Sequence, residues 1–145
     1  MIKTEKEYNE AKKRLTDEQK IIEEQQIKLK KAGLTKNQLN LAIDPLRSFL
    51  FQLKEEIEEY ERLKRGEFGD LLNFYGIGRT LVALRIFKKI KQSELAAKLS
   101  VKESQVSRDE SNEYHGASVE KIQKVLEALG ITLKTTVEYP YKEVV

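Results

Sequence analysis

The stretch Gln92-Ser93-Glu94-Leu95-Ala96-Ala97-Lys98-Leu99-Ser100-Val101-Lys102-Glu103-Ser104-Gln105-Val106-Ser107-Arg108 decides the fold. It reads as two short amphipathic helices, about 92–99 and 103–110, meeting at a tight turn around Ser100. Ala96 is small where two helices cross closely, and Leu95, Leu99, Val101 and Val106 supply the apolar core of the pair. Segments of the same character at 77–88 and 118–129 flank it, so four short helices follow one another with brief turns between them. After Gly130, the run Ile131-Thr132-Leu133-Lys134-Thr135-Thr136-Val137-Glu138-Tyr139 alternates and is rich in β-branched residues, which predicts a strand ended by Pro140. A lone strand leaves its backbone unsatisfied, so pairing with a second copy of the chain is expected.

Charge is distributed unevenly around this region. The formal net charge of +3 is too small to point to nucleic acid. Between residues 79 and 102, however, Arg79, Arg85, Lys88, Lys89, Lys91, Lys98 and Lys102 stand against Glu94 alone. A patch of that kind attracts a phosphate backbone. In residues 1–66 basic and acidic side chains alternate instead, in the manner of solvated helix faces.

The N-terminal part reads as a helical arm. Lys3 to Lys31 is rich in Glu, Lys, Gln and Ala, which lose little side-chain entropy in a helix. Tyr8, Ala11, Leu15, Ile22 and Leu29 follow a seam-like spacing, thinned by Glu18 and Gln25 at the intervening positions. Gly33 supplies a stop, and Thr35 with Gln38 has the capping-box pattern that opens the next helix. Asp44-Pro45 predicts a break there, with a short helix from Lys36 to Ile43 and a longer one from Pro45 to about Arg65. Leu46, Phe49, Leu50, Leu53, Ile57, Tyr60 and Leu63 line one face of the longer helix. That stripe fits three partners: the first helix in a hairpin, its copy in a dimer, or another protein. The glycines of Arg65-Gly66-Glu67-Phe68-Gly69 mark the boundary, giving an arm over 1–66 and a second domain over 67–145.

Several function classes are excluded or disfavoured. The chain has no cysteine and one histidine, His115, so disulfides and thiolate chemistry are out and zinc is disfavoured. No nucleophile, base and oxyanion site can be assembled from what is left, and Gly76-Ile77-Gly78 is too short for a nucleotide-binding fingerprint. No enzyme, cofactor or metal is therefore expected. No apolar run approaches the ~18 residues of a membrane span and the start lacks a signal-peptide core, so a cytoplasmic protein is expected.

The quoted segment resembles the helix-turn-helix of the Xre/Cro repressor family over about Ile77 to Leu129, and Val106 to Gly116 resembles a branch that includes HigA-type antitoxins. Two positions depart from the family pattern: Ser100, commonly glycine, and Asp109, commonly apolar. The resemblance implies a mainly α protein in which a helical-hairpin or coiled-coil arm precedes a lambda-repressor-like domain with a C-terminal β-strand. It also implies that the second helix of the pair enters the major groove with Lys102, Glu103, Ser104, Ser107 and Arg108 facing bases or flanking backbone. Arg108 would read guanine, Gln105 adenine, and Gln92 a phosphate. Lys88, Lys89 and Lys91, with Tyr114 and His115, are the expected phosphate contacts. The implied function is a sequence-specific repressor that binds double-stranded DNA, acting as a homodimer on an inverted repeat. The alternative is an antitoxin whose arm holds a toxin through Leu46, Phe49, Leu53, Ile57 and Tyr60. An adaptor that no longer binds DNA is a third reading.

Overall fold

The structure, a computed structural model, describes residues 1–139. Two long helices, α1 (Glu5–Lys31) and α2 (Lys36–Lys64), are followed by four short ones, α3 (Ile77–Phe87), α4 (Gln92–Leu99), α5 (Glu103–Ser111) and α6 (Val119–Leu129). Both long helices open on a capping box. The Thr4 hydroxyl accepts from the Glu7 N–H while the Glu7 carboxylate accepts from the Thr4 N–H, and Thr35 and Gln38 do the same for α2. Each box satisfies donors that the first turn of a helix leaves without partners.

The expected break at Pro45 does not occur, and α2 runs through it. Proline removes the hydrogen bond that would reach the carbonyl of Leu41, four residues back. Pro45 is exposed and Leu41 is 77% exposed, so the lost bond lies on the outer side of the helix, where water can take up the carbonyl. On the inner side, Leu39 and Ile43 before the proline are buried with Ile22 of α1, and Leu46 and Leu50 beyond it pack on the same cluster. Continuous burial on one face outweighs a local defect on the other.

The apolar stripe of α2 is covered from within the chain: α1 and α2 pack as a hairpin. Ile57 and Tyr60 are buried, and Leu46, Phe49, Leu50, Leu53 and Leu63 are half-buried. Tyr60 stacks obliquely on Tyr8, with ring centroids 5.1 Å apart, and its hydroxyl donates to Glu5. Burial, followed by the negative charge of Glu5, pushes the Tyr60 hydroxyl well above the usual phenol range, so it stays a donor. The residues expected to meet a toxin therefore face α1, and Ile57 and Tyr60 are closed to any outside partner.

The four short helices fall where the periodicity puts them. Leu81, Val82, Leu95, Val106, Val125 and Leu129 are almost wholly buried, and the same cluster takes in Ile2, Ala11, Ile57 and Tyr60 from the N-terminal part. One continuous apolar core thus seats the hairpin on α3. Gly78 permits a close approach within it. A Cβ there would collide with the backbone carbonyl of Glu113, which explains one glycine of the Gly76-Ile77-Gly78 pair; the other, Gly76, adopts a left-handed conformation at the start of α3.

Two expectations for the C-terminal part need correction. Val101, assigned to its core, is 43% exposed, because α4 ends at Leu99 and the turn carries Val101 outward before α5 begins. The predicted strand at 131–139 is absent: the segment has no regular structure, and among the described residues no strand exists to pair with it. A strand is stabilised by a neighbour's backbone, and a single copy offers none. Pro140, its expected end, lies outside the described residues.

Ser100 ends α4 in the left-handed conformation, at φ 55° and ψ 40°. A side chain there is strained by roughly 1–2 kcal/mol, part of which a glycine returns as extra freedom of the unfolded chain. Ser100→Gly is expected to raise the unfolding free energy by about 0.5–1 kcal/mol. Urea denaturation checks this, and a destabilised variant would show that the serine makes a contribution the turn geometry does not account for.

Candidate nucleic-acid interface

The second helix of the pair, α5, is held from behind and left open in front. Its buried face carries Val106 and, one turn later, Glu110, both almost fully enclosed. A buried carboxylate is costly unless paired and hydrogen-bonded. Glu110 is both: Arg85 of α3, itself buried, donates from Nε to one carboxylate oxygen and from Nη2 to the other at 2.8 Å. Gln92, the first residue of α4, adds a third donor at 2.7 Å.

Two further donors of Arg85 are also used. Nη1 donates to the carbonyl of Ile90 at 2.9 Å, and Nη2 to the carbonyl of Lys3 at 2.8 Å. Lys3 answers with its ammonium group, which donates to the carbonyl of Glu110 at 3.0 Å. That carbonyl belongs to the last turn of α5, where helix carbonyls lack intrahelical partners and a cation is favoured. The chain start, the α3 arginine, the first residue of α4 and the end of α5 thus share one hydrogen-bonded cluster.

Asp109, an apolar position in the family pattern, has a structural use here. It receives the Lys121 ammonium of α6 at 2.8 Å and the Gln105 amide at 3.0 Å, so a polar bridge replaces apolar packing between α5 and α6.

The outer face of α5 is polar and open. Lys102, Glu103, Ser104 and Arg108 are exposed and Ser107 is half-buried. Among the described residues the Arg108 side chain has no hydrogen-bond or ion-pair partner, which leaves its guanidinium fork available. Gln105 is half-buried and gives one amide hydrogen to Asp109, leaving its carbonyl oxygen and its second amide hydrogen to offer a base. Gln92 is likewise half-buried with an amide hydrogen on Glu110. Lys88, Lys89 and Lys91 are exposed on the connection between α3 and α4, and His115 is exposed beyond α5.

Several members of the basic or contact set are engaged within the fold: Arg79 pairs with Glu59 of α2 and with Glu113, and Lys98 donates to the Ala128 carbonyl. Tyr114, expected at a phosphate, is buried in the core, where its ring packs with the apolar cluster. Burial pushes its hydroxyl far above the usual phenol range, helped by the negative charges of Glu110 and Asp109. Arg85, counted with the surface cations, is the buried partner of Glu110. Its position between the buried Leu84 and Ile86 was the available signal, since a charge inside an apolar run requires a partner. Glu110, one turn after the apolar Val106, carried the matching signal. The part of Lys3 had none, because its contacts join residues more than eighty positions apart.

A helix-turn-helix family model matches residues 81–135, a span that takes in α4, the turn and α5 with their supporting helices. This part of the chain carries a helix-turn-helix domain, a kind of domain found in DNA-binding regulators. No curated protein and no solved structure matches the chain.

Removing one member of a buried ion pair strands the other. Arg85→Met is expected to cost about 3–5 kcal/mol of folding free energy, and Arg85→Met combined with Glu110→Leu less than that single change. Chemical denaturation of both variants checks this; an Arg85→Met cost below about 1 kcal/mol would mean the pair does not hold α5.

Proposed function

We propose that the protein is a repressor that binds, as a homodimer, an inverted-repeat operator in double-stranded DNA. The observation that carries this is the division of α5 into a face fixed by the Arg85–Glu110 pair and a face with Arg108 free and Lys102, Glu103 and Ser104 exposed. A recognition helix needs both: a rigid register and open side chains of matching reach. In this reading Arg108 bonds a guanine edge, Lys102, Ser104, Gln105 and Ser107 contact neighbouring bases or sugar-phosphate, and Glu103 accepts from a cytosine amine or excludes other bases. Lys88, Lys89, Lys91 and His115 contact phosphates, and the free hydrogen of the Gln92 amide reaches another. Two-fold symmetry sets the half-sites about one helical turn, ~34 Å, apart. Such a protein works in the cytoplasm, on DNA near its own gene.

A second reading, in which the regulator is also an antitoxin, draws support from a different surface than the inner stripe. Leu41 and Phe51 of α2 are 77% and 61% exposed on the outside of the hairpin, as large apolar side chains outside the core. Copurification of a small toxic protein that is released by Phe51→Glu would support it, and a neighbouring gene product that is harmless alone and does not copurify would sink it.

On operator DNA, Arg108→Ala is expected to lose about 1–3 kcal/mol of binding free energy while affinity for scrambled DNA changes little. Lys88→Ala should weaken both about equally and lower the salt dependence by roughly one released counterion. Titrations at several salt concentrations test both. Equal affinity of the parent protein for operator and scrambled DNA would overturn the repressor reading.

A further inference from the structure

The segment after α6 leaves the core in mid-course. Ile131 and Leu133 pack on the apolar cluster, whereas Thr135, Val137 and Tyr139 are exposed, Val137 to 89%. From Thr132 to Glu138 the backbone makes no hydrogen bond to other described residues. Alternation divides the segment into an apolar face of Leu133, Val137 and Tyr139 with Thr135, and a polar face of Thr132, Lys134, Thr136 and Glu138. We propose that two copies of the chain pair through this segment as an antiparallel ribbon centred on Thr136, and that this ribbon is the dimer interface.

Charge complementarity selects the occupant and the register. Antiparallel pairing about Thr136 sets Lys134 opposite Glu138 of the second copy, twice by symmetry, and Thr136 opposite itself. On the other face Leu133 meets Tyr139 and Thr135 meets Val137, so apolar and β-branched side chains lie side by side. Opposite charges and β-branched or aromatic pairs are the contacts that stabilise neighbouring strands. A shift by one residue puts apolar against polar throughout. A shift that keeps the faces separates Lys134 from Glu138, and parallel in-register pairing stacks lysine on lysine and glutamate on glutamate, which is destabilising. Ile131 and Leu133 tie each strand to its own domain, so the ribbon fixes the distance between the two α5 helices.

This interface rests on the dimeric reading of the regulator, and the test separates the two. The full chain is examined by sedimentation equilibrium without DNA, with Lys134→Glu, Glu138→Lys and the double variant. Each single reversal should weaken self-association about tenfold, since it turns two attractive pairs into two repulsive ones, and the double variant should return to within about threefold of the parent. The chain has no cysteine, so Thr136→Cys gives a clean crosslink. Opposed residues of an antiparallel pair lie about 4.5–5.5 Å apart at Cα, within disulfide reach. Oxidised Thr136→Cys should run as a covalent dimer, whereas Gln123→Cys, at an exposed position of α6, should not. A dimeric parent indifferent to both reversals and without a Thr136 crosslink overturns the interface and leaves the dimer standing. A monomeric parent overturns both.

Discussion

Glu110 lies fully enclosed at the end of α5, and its carboxylate holds three donors from Arg85 and Gln92. α3 and the start of α4 converge on that charge. An isolated carboxylate at such a depth would not stay ionised without compensation, and an arginine at the depth of Arg85 would be equally costly alone. Their mutual satisfaction requires that α3 and α5 keep one relative position. The Gln92 amide places the first turn of α4 in the same constraint. A polar cluster of this kind adds specificity of geometry where apolar packing by itself would tolerate sliding.

The cluster also explains how an arm of two long helices relates to a small domain far along the chain. Lys3 closes it from outside, giving its carbonyl to Arg85 and its ammonium to the last turn of α5, while Ile2 fills the core beside it. The N-terminal ammonium of Met1 lies 3.7 Å from Glu56 of α2. The N-terminal part and α5 are therefore connected by direct contacts, and not only through the loop from Gly66 to Gly76. Since Glu59 of α2 also reaches Arg79 at 3.2 Å, the same seam is closed from a second side.

The departures from family pattern find different physical answers. Ser100 keeps the left-handed turn at some cost, with no compensating side-chain bond among the described residues. Asp109 is compensated: Lys121 and Gln105 supply the pairing that an apolar residue would supply by packing. The outcome is that α5 is held by ion pairs to two different helices.

The periodicity of 77–129 determined the four short helices and most of their core, because a 3.6-residue repeat of Leu, Val and Ala is a local property of the chain. Capping at Thr35, the stop near Gly33 and the exposed face of α5 were legible for the same reason. Non-local facts were not. Whether Pro45 breaks α2 depended on which side of the helix faces α1, and whether the Leu46–Leu63 stripe was free depended on a hairpin closing over it. Tyr114 and Arg85 have the chemistry of phosphate contacts but lie in the core, and Val101 has the chemistry of a core residue but sits in the turn. The strand at 131–139 has the right alternation, yet a strand exists only with a neighbour's backbone, which one copy does not provide. Local pattern determined what each segment could be; burial and partnership, which join residues as distant as Lys3 and Glu110, decided what each became.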